Sequence, residues 1–204
     1  MYNNYSHIIT IFLIIILLFM CYNKYFEIIE SYECRTPKFN PHAWNRKKNN
    51  IQKYNNCYSY AMGDLKLNQK KKQQPGSLCK TMKPLKKKNY SCKRLIKRVQ
   101  CDYADTILLS NNTEHCPCDY YKVALFLDNK GEKRDYHFYK QNKSGYWSHK
   151  PGTTKVTNLD SEGRKISDPI NANRKYKKHN YDENCGYLCK KYIENKHIEK
   201  YNNN

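Results

Sequence analysis

Cys57, His137 and His149 are the residues of this 204-residue chain whose types and spacing combine into acyl-transfer chemistry. A thiol attacks an amide carbonyl only as thiolate, so a nucleophilic cysteine needs a helix N-terminus, a cationic neighbour or both to bring its pKa below about 8.5. Cys57 stands in NNCYSYAMGDL, where Asn55 or Asn56 can cap a helix and Tyr58, Ala61 and Leu65 follow at helical spacing. Gly63 reads as an interior weakness or an early end of that helix. His137 is the third residue of DYHFYKQNKSGYWSHKPG, which reads as a β-hairpin, and it can serve as cationic neighbour and base if its strand packs across the helix start. In a hairpin centred near residue 143, residues 137 and 149 fall opposite one another on one face, so His149 can fix the tautomer of His137. Attack by Cys57, proton transfer by His137 and orientation by His149 need neither a metal nor an organic cofactor.

Each of these residues has a competing role. Cys57 could be disulfide-bonded, His137 a satisfied strand histidine and His149 a surface one beside Lys150. Asp168, before Pro169, could replace His149 as the third member, although Asp-Pro is commonly a turn. His115, Cys116 and Cys118 with Cys185 and Cys189 could ligate zinc, but their C-x-C and C-x-x-x-C spacings are not those of a zinc ribbon, and disulfides fit an oxidising compartment better.

The elements that must position these residues show in the pattern. Residues 120–128 (YYKVALFLD) form a β-prone run, Asn129 and Gly131 mark a turn, 136–140 is the next strand, 142–145 turns again, and 146–149 completes a meander. Residues 152–169 read as a long loop or a further hairpin around 161–163, and YDENCGYLCKKY as a last strand or short turn tied by cysteines. SCKRLIKRVQC is a short amphipathic helix inside a lysine-rich insertion at 66–100, which Pro75-Gly76 and Pro84 punctuate into loops. A cysteine-bearing helix packed on an antiparallel sheet that carries the histidines makes an α+β fold.

NCYSYA and DYHFYK together resemble the NlpC-type branch of the papain-like cysteine peptidases, in which the nucleophile starts a helix, the base lies on a strand and a second histidine often follows on the neighbouring strand. The wider set, with GYWSHKPGTTKVTNLD, ISDP and CGYLC, is similar to a family of small proteins from bacteria and large DNA viruses that also resembles insoluble matrix proteins of mollusc shells. The resemblance covers residues 55–189, interrupted by the lysine-rich stretch, and WSHKPG is its specific part. It implies a papain-like (NlpC-type) core, with Cys57 as nucleophile, His137 as base and His149 as orienting residue, and a peptide or peptidoglycan-like amide as substrate. Tyr58 and Ser59 follow the cysteine where NlpC enzymes usually carry serine and glycine, and Gln52 is not at the usual spacing of a papain-type glutamine. The oxyanion donor is therefore open between the backbone N–H of Cys57 and a side chain such as Tyr54.

Composition bears on where such a site works. The formal charge is +20, and between Asp64 and Asp102 the chain carries 13 Lys and Arg and no acid. A polyanion is attracted to such a stretch, unless its lysines reflect A+T-rich codon usage and form a solvated insertion. The apolar run 8–21 (IITIFLIIILLFMC) spans roughly 21 Å, short of a ~30 Å hydrocarbon core but long enough for membrane targeting through residues 8–22. It reads as an uncleaved signal anchor with Tyr22, Tyr25 and Phe26 at the interface, or as a cleaved signal peptide, although no small-x-small site follows. The apolar segment argues against nucleic acid as partner. Of ten cysteines, Cys21 lies in that run, and the remaining nine fit four disulfides plus one free thiol, Cys57, in a membrane-bound or secreted protein. Sequons at Asn4, Asn89, Asn111 and Asn142 would be glycosylatable there.

The expected organisation is a signal anchor or signal peptide at 1–22, a juxtamembrane stalk at 23–50, a papain-like α+β domain at 51–190 with its insertion at 66–100, and a disordered tail at 191–204. Two functions follow as expectations: a thiol hydrolase, amidase or peptidase, and a non-catalytic structural or matrix protein that keeps the fold and holds polyanions.

Overall fold

A computed structural model describes residues 3–31, 34–130 and 134–200, and the chain divides into two units, Met1–Cys34 and Arg35–Asn204. The first is helix α1 (Asn3–Ser31), whose apolar side chains from Ile8 to Met20 are exposed. Within it His7–Tyr25, 19 residues of mean hydropathy 2.1, is long and apolar enough to cross a membrane, a property shared by anchors and signal sequences. Helical continuation past Cys21 brings the apolar length to about 28 Å, closer to a hydrocarbon core than the run read from sequence. The Phe26 side chain and Gly131 lie outside the described residues.

The second unit holds α2 (Pro41–Trp44), α3 (Ile51–Tyr54), α4 (Cys57–Ala61), α5 (Cys92–Asp102) and α6 (Lys196–Glu199), with strands β1 (Ile107–Leu108), β2 (Tyr120–Asp128), β3 (Asp135–Gln141), β4 (Trp147–His149) and β5 (Glu183–Lys191). The strands form one antiparallel sheet in the order β1-β5-β2-β3-β4. The fold class is thus α+β, and β2, β3 and β4 are the expected meander. The cysteine-tied strand β5 is not a terminal appendage: it pairs with β2 from Tyr120↔Lys191 onward. Alternation along β2 divides the core. Val123, Leu125 and Leu127 pack with Tyr58, Leu95 and Val99 of α4 and α5, while Ala124 and Phe126 pack with Tyr139, Trp147, Ile166 and Tyr181 on the other face.

Two expected boundaries are corrected. Residues 35–50 are no stalk, because Ala43 and Trp44 are buried in a third cluster, the Trp44 ring lies 5.0 Å from that of Tyr60, and Asn45 accepts the N–H of Val156 at 2.7 Å. Residues 191–200 are no disordered tail. The Tyr192 N–H donates to Asp119 O at 2.6 Å, Asn195 caps α6, and its Nδ2 donates to Gly63 O at 3.3 Å.

Four disulfides staple the protein. Cys79–Cys101, Cys92–Cys185 and Cys116–Cys189 close separations of 22, 93 and 73 residues, and Cys34 and Cys118 are also disulfide-bonded. Loops of these lengths contribute roughly 3–5 kcal/mol each in the chain-entropy account. The zinc alternative falls with them, since the thiols it needs are consumed. The sequon at Asn142 is also closed, because that side chain donates to Tyr146 O, accepts from Ser148 Oγ and is buried.

Candidate functional site

Helix α4 starts where Asn56 Oδ1 accepts the Ser59 N–H at 3.1 Å and its Oγ at 3.2 Å, so Asn56 is the cap and Asn55 instead accepts the N–H of Lys66. The helix stops after one turn, with Gly63 at φ +67, the left-handed backbone that favours glycine. Cys57 is thereby held against β3, near Tyr136 and Phe138, while β4 pairs with residues 139–141 of that strand. Its sulfur lies 3.9 Å from Tyr136 O and accepts the backbone N–H groups of Phe138 and Tyr58. Tyr136 and Phe138 flank His137, so the thiol sits alongside the peptide units that carry the candidate base. Cys57 is a free thiol.

The hairpin register differs from the expected one by two. Tyr139, not His137, pairs with His149, which moves the centre from residue 143 to 144. A shift of two preserves the face, so His137 and His149 become diagonal neighbours and their rings still meet. His137 Nε2 and His149 Nδ1 are 2.7 Å apart, and His149 Nε2 lies 2.9 Å from Leu159 O. A carbonyl oxygen only accepts, which assigns the tautomers in order. His149 donates from Nε2 to Leu159; its unprotonated Nδ1 then accepts from His137 Nε2–H; the lone pair of neutral His137 is left on Nδ1. The relay ends on a backbone carbonyl, and Asp168 takes no part in it. That carboxylate accepts from Tyr187 OH at 2.5 Å and the Ile170 N–H at 3.1 Å, as a turn cap.

Burial sets the electrostatics. It pushes the Cys57 thiol up to about 12, with a smaller contribution from the Asp135 charge, and outweighs the N–H groups of Phe138 and Tyr58. Burial holds His137 well below the usual histidine range and His149 down at about 4. The expectation that the helix start and a cationic His137 would lower the thiol is corrected: a one-turn helix has little dipole, and the resting pair is neutral thiol and neutral imidazole.

Cys57 and His137 line a cavity of about 430 Å³ together with Asn56, Lys72, Gln74, Lys87, Tyr90, Asp135, Tyr136, Pro151, Gly152, Tyr176, His179 and Tyr181. Several of these were not anticipated. Asp135 shares the face of His137 by strand alternation, the one signal that points to it; its Oδ2 accepts from Tyr181 OH at 3.0 Å and lies 3.6 Å from His179 Nε2. Gln74 is a side-chain amide lining the cavity, with Oε1 accepting from Tyr136 OH and Nε2 reaching Lys72 O only at 3.5 Å. Tyr54, the expected side-chain oxyanion donor, is not among the lining residues, and Gln52 donates to Thr153 O instead. Lys150 of the WSHKPG motif fixes the wall formed by Pro151 and Gly152, because its Nζ donates to the carbonyls of Gln52, Gly152 and Thr154 at 2.7, 2.9 and 2.9 Å.

No family model matches the chain, and no solved structure matches it. Insoluble matrix shell protein 1 of Ruditapes philippinarum is 32% identical over 141 residues, which cover 69% of this chain and 83% of that protein. The chain belongs to the insoluble matrix shell protein 1 family. The name of that relative is that of a matrix protein, and the case for chemistry rests on the geometry of Cys57, His137 and His149.

Proposed function

We propose that the Cys57–His137–His149 arrangement is a thiol acyl-transfer site of papain-like type, acting on an amide bond in a peptide or peptide-bearing polymer. The observations that support this reading are the relay from Leu159 O through His149 to His137, which leaves the lone pair of neutral His137 on Nδ1, and the cavity that both His137 and the free thiol line. In the reaction, the Cys57 proton passes to His137 Nδ1 as sulfur bonds to the substrate carbonyl carbon. The C–N bond breaks as Nδ1 returns that proton to the leaving amine. Water, deprotonated by Nδ1, then attacks the thioester, releasing a carboxylic acid and restoring the thiol. The neutral resting pair makes proton transfer concerted with attack. The Cys57 N–H at the helix start and the Gln74 amide are the donors available to the oxyanion. A peptide-amide substrate panel tests this: hydrolysis that is lost in Cys57→Ala while the disulfide-bonded fold is retained supports it, and release unaffected by Cys57→Ala sinks it.

A second reading is a non-catalytic matrix or structural protein that holds polyanions on a surface of net charge +20. The name of the family relative and the raised thiol favour this reading over hydrolysis; the tautomer relay favours the first. The disulfides and the apolar N-terminal helix suit an extracellular or membrane-tethered location in either case. Salt-sensitive polyanion binding with no thiol-dependent turnover is the outcome the second reading expects.

A further inference from the structure

The lysine-rich stretch read as a solvated insertion is anchored as a wall of the Cys57 cavity. Asp102, at the end of α5, accepts from the N–H groups of Gly76, Leu78 and Cys79 at 2.7, 2.8 and 3.0 Å and from Tyr58 OH of α4 at 2.7 Å. Arg98 donates to the carbonyls of Pro75 and Lys83, and Cys79–Cys101 closes the loop covalently. Held this way, the stretch brings Lys72, Gln74, Lys87 and Tyr90 to the cavity. Asp135 is the one carboxylate among the described lining residues, and it already faces Tyr181 OH and His179.

Beyond the partition made by Gln74, Tyr90 and Tyr136, which line both spaces, lies a second pocket of about 260 Å³. Its apolar lining comes from Met82, Pro84, Leu85 and Leu95, all of the same stretch or of α5. The two spaces adjoin, one lined by lysines and the thiol, the other by these apolar side chains with Arg98, whose guanidinium is turned to the carbonyls of Pro75 and Lys83. A glycan or nucleic-acid backbone would use the charges and leave the apolar pocket without an occupant, whereas a peptide can fill both.

We propose that these adjoining spaces bind an acidic peptide, with carboxylates on Lys72 and Lys87 and an apolar side chain in the pocket lined by Met82, Leu85 and Leu95. The proposal names the substrate class for the thiol-site reading, on which only its catalytic consequence rests; binding is independent of turnover. The test is fluorescence anisotropy of a dye-labelled hexapeptide of alternating Glu and Leu with the full chain in detergent. Lys72→Glu/Lys87→Glu is expected to weaken binding by about tenfold or more, and Lys80→Glu/Lys97→Glu, the same charge change on exposed lysines outside both spaces, by less than about threefold. Peptides of alternating Glu and Ser, or Gln and Leu, are expected to bind more weakly than the Glu–Leu peptide. Equal losses from the two lysine pairs, equal affinity for the three peptides, or heparin binding that depends more on Lys72 and Lys87 than peptide binding does would each overturn the proposal. Since no turnover enters the measurement, peptide binding without hydrolysis defeats only the thiol-site reading, and hydrolysis without peptide selectivity defeats only this one.

Discussion

Lys140 and Lys150 lie on the two sides of one hairpin, both buried, and the fold treats their charges in opposite ways. Lys150 gives all three ammonium protons to backbone carbonyls. The Lys140 ammonium makes no hydrogen bond among the described residues and faces the rings of Tyr60 at 4.2 Å and Trp44 at 5.7 Å. Burial brings Lys140 down to about 7 and Lys150 to about 8. The difference teaches what a buried cation does in this fold. Lys150 is a clamp, tying α3 to the Pro151–Gly152 wall of the cavity, whereas Lys140 is a charge that ring faces compensate only in part. The histidine relay follows the Lys150 pattern, since it too ends on a backbone carbonyl and uses no carboxylate.

Substitution turns the comparison into opposite signs. Lys150→Met leaves three inward carbonyls without their donor and is expected to cost about 4 kcal/mol in denaturant unfolding of the disulfide-intact protein. The next effect belongs to the relay. Between pH 6.5 and about 4 the unfolded chain binds a proton that folded His149 refuses, so stability falls as pH drops through that window, by up to about 3 kcal/mol. His149→Gln should remove the His149 share of that slope and leave the share of His137, which burial also holds well below the usual histidine range. The smallest effect is a gain: Lys140→Met removes a poorly compensated charge and is expected to stabilise by about 1–2 kcal/mol at neutral pH. Its pH signature is also defined, because the unfolded chain holds a proton between about 7 and 10.5 that folded Lys140 gives up. Wild-type stability therefore gains from that residue as pH rises through the window, and the variant lacks the gain. Destabilisation by both lysine substitutions would dissolve the contrast.

The parts of this fold legible in the sequence are those governed by local pattern. β2, the β3–β4 hairpin, the Asn-capped start at Cys57 and the amphipathic α5 follow from alternation, turn residues, a cap and helical periodicity. The odd cysteine count likewise pointed to a free Cys57. Register was off by two because turn closure, with the Asn142 N–H on Tyr146 O, decides it and residue sums do not. The histidine pairing survived because strand faces repeat every two residues. Trp44 sits in a polar, proline-broken stretch with no periodicity, so nothing local marks residues 35–50 as core. The position of β5 inside the sheet and the anchoring of the lysine-rich wall on Asp102, more than twenty residues from the N–H groups it accepts, are products of nonlocal packing. So is the raised thiol, since burial is a tertiary property that no helix-start signature reports.

The central claim is that the His149–His137 relay serves the thiol of Cys57. Its most direct measurement is the rate of Cys57 alkylation by iodoacetamide, read by peptide mass spectrometry in the wild type and in folded His137→Gln. The account predicts a loss of about a hundredfold or more in His137→Gln, the lower end of what a positioned base contributes. Equal rates in the two proteins, or Cys57 recovered in a disulfide, would contradict it.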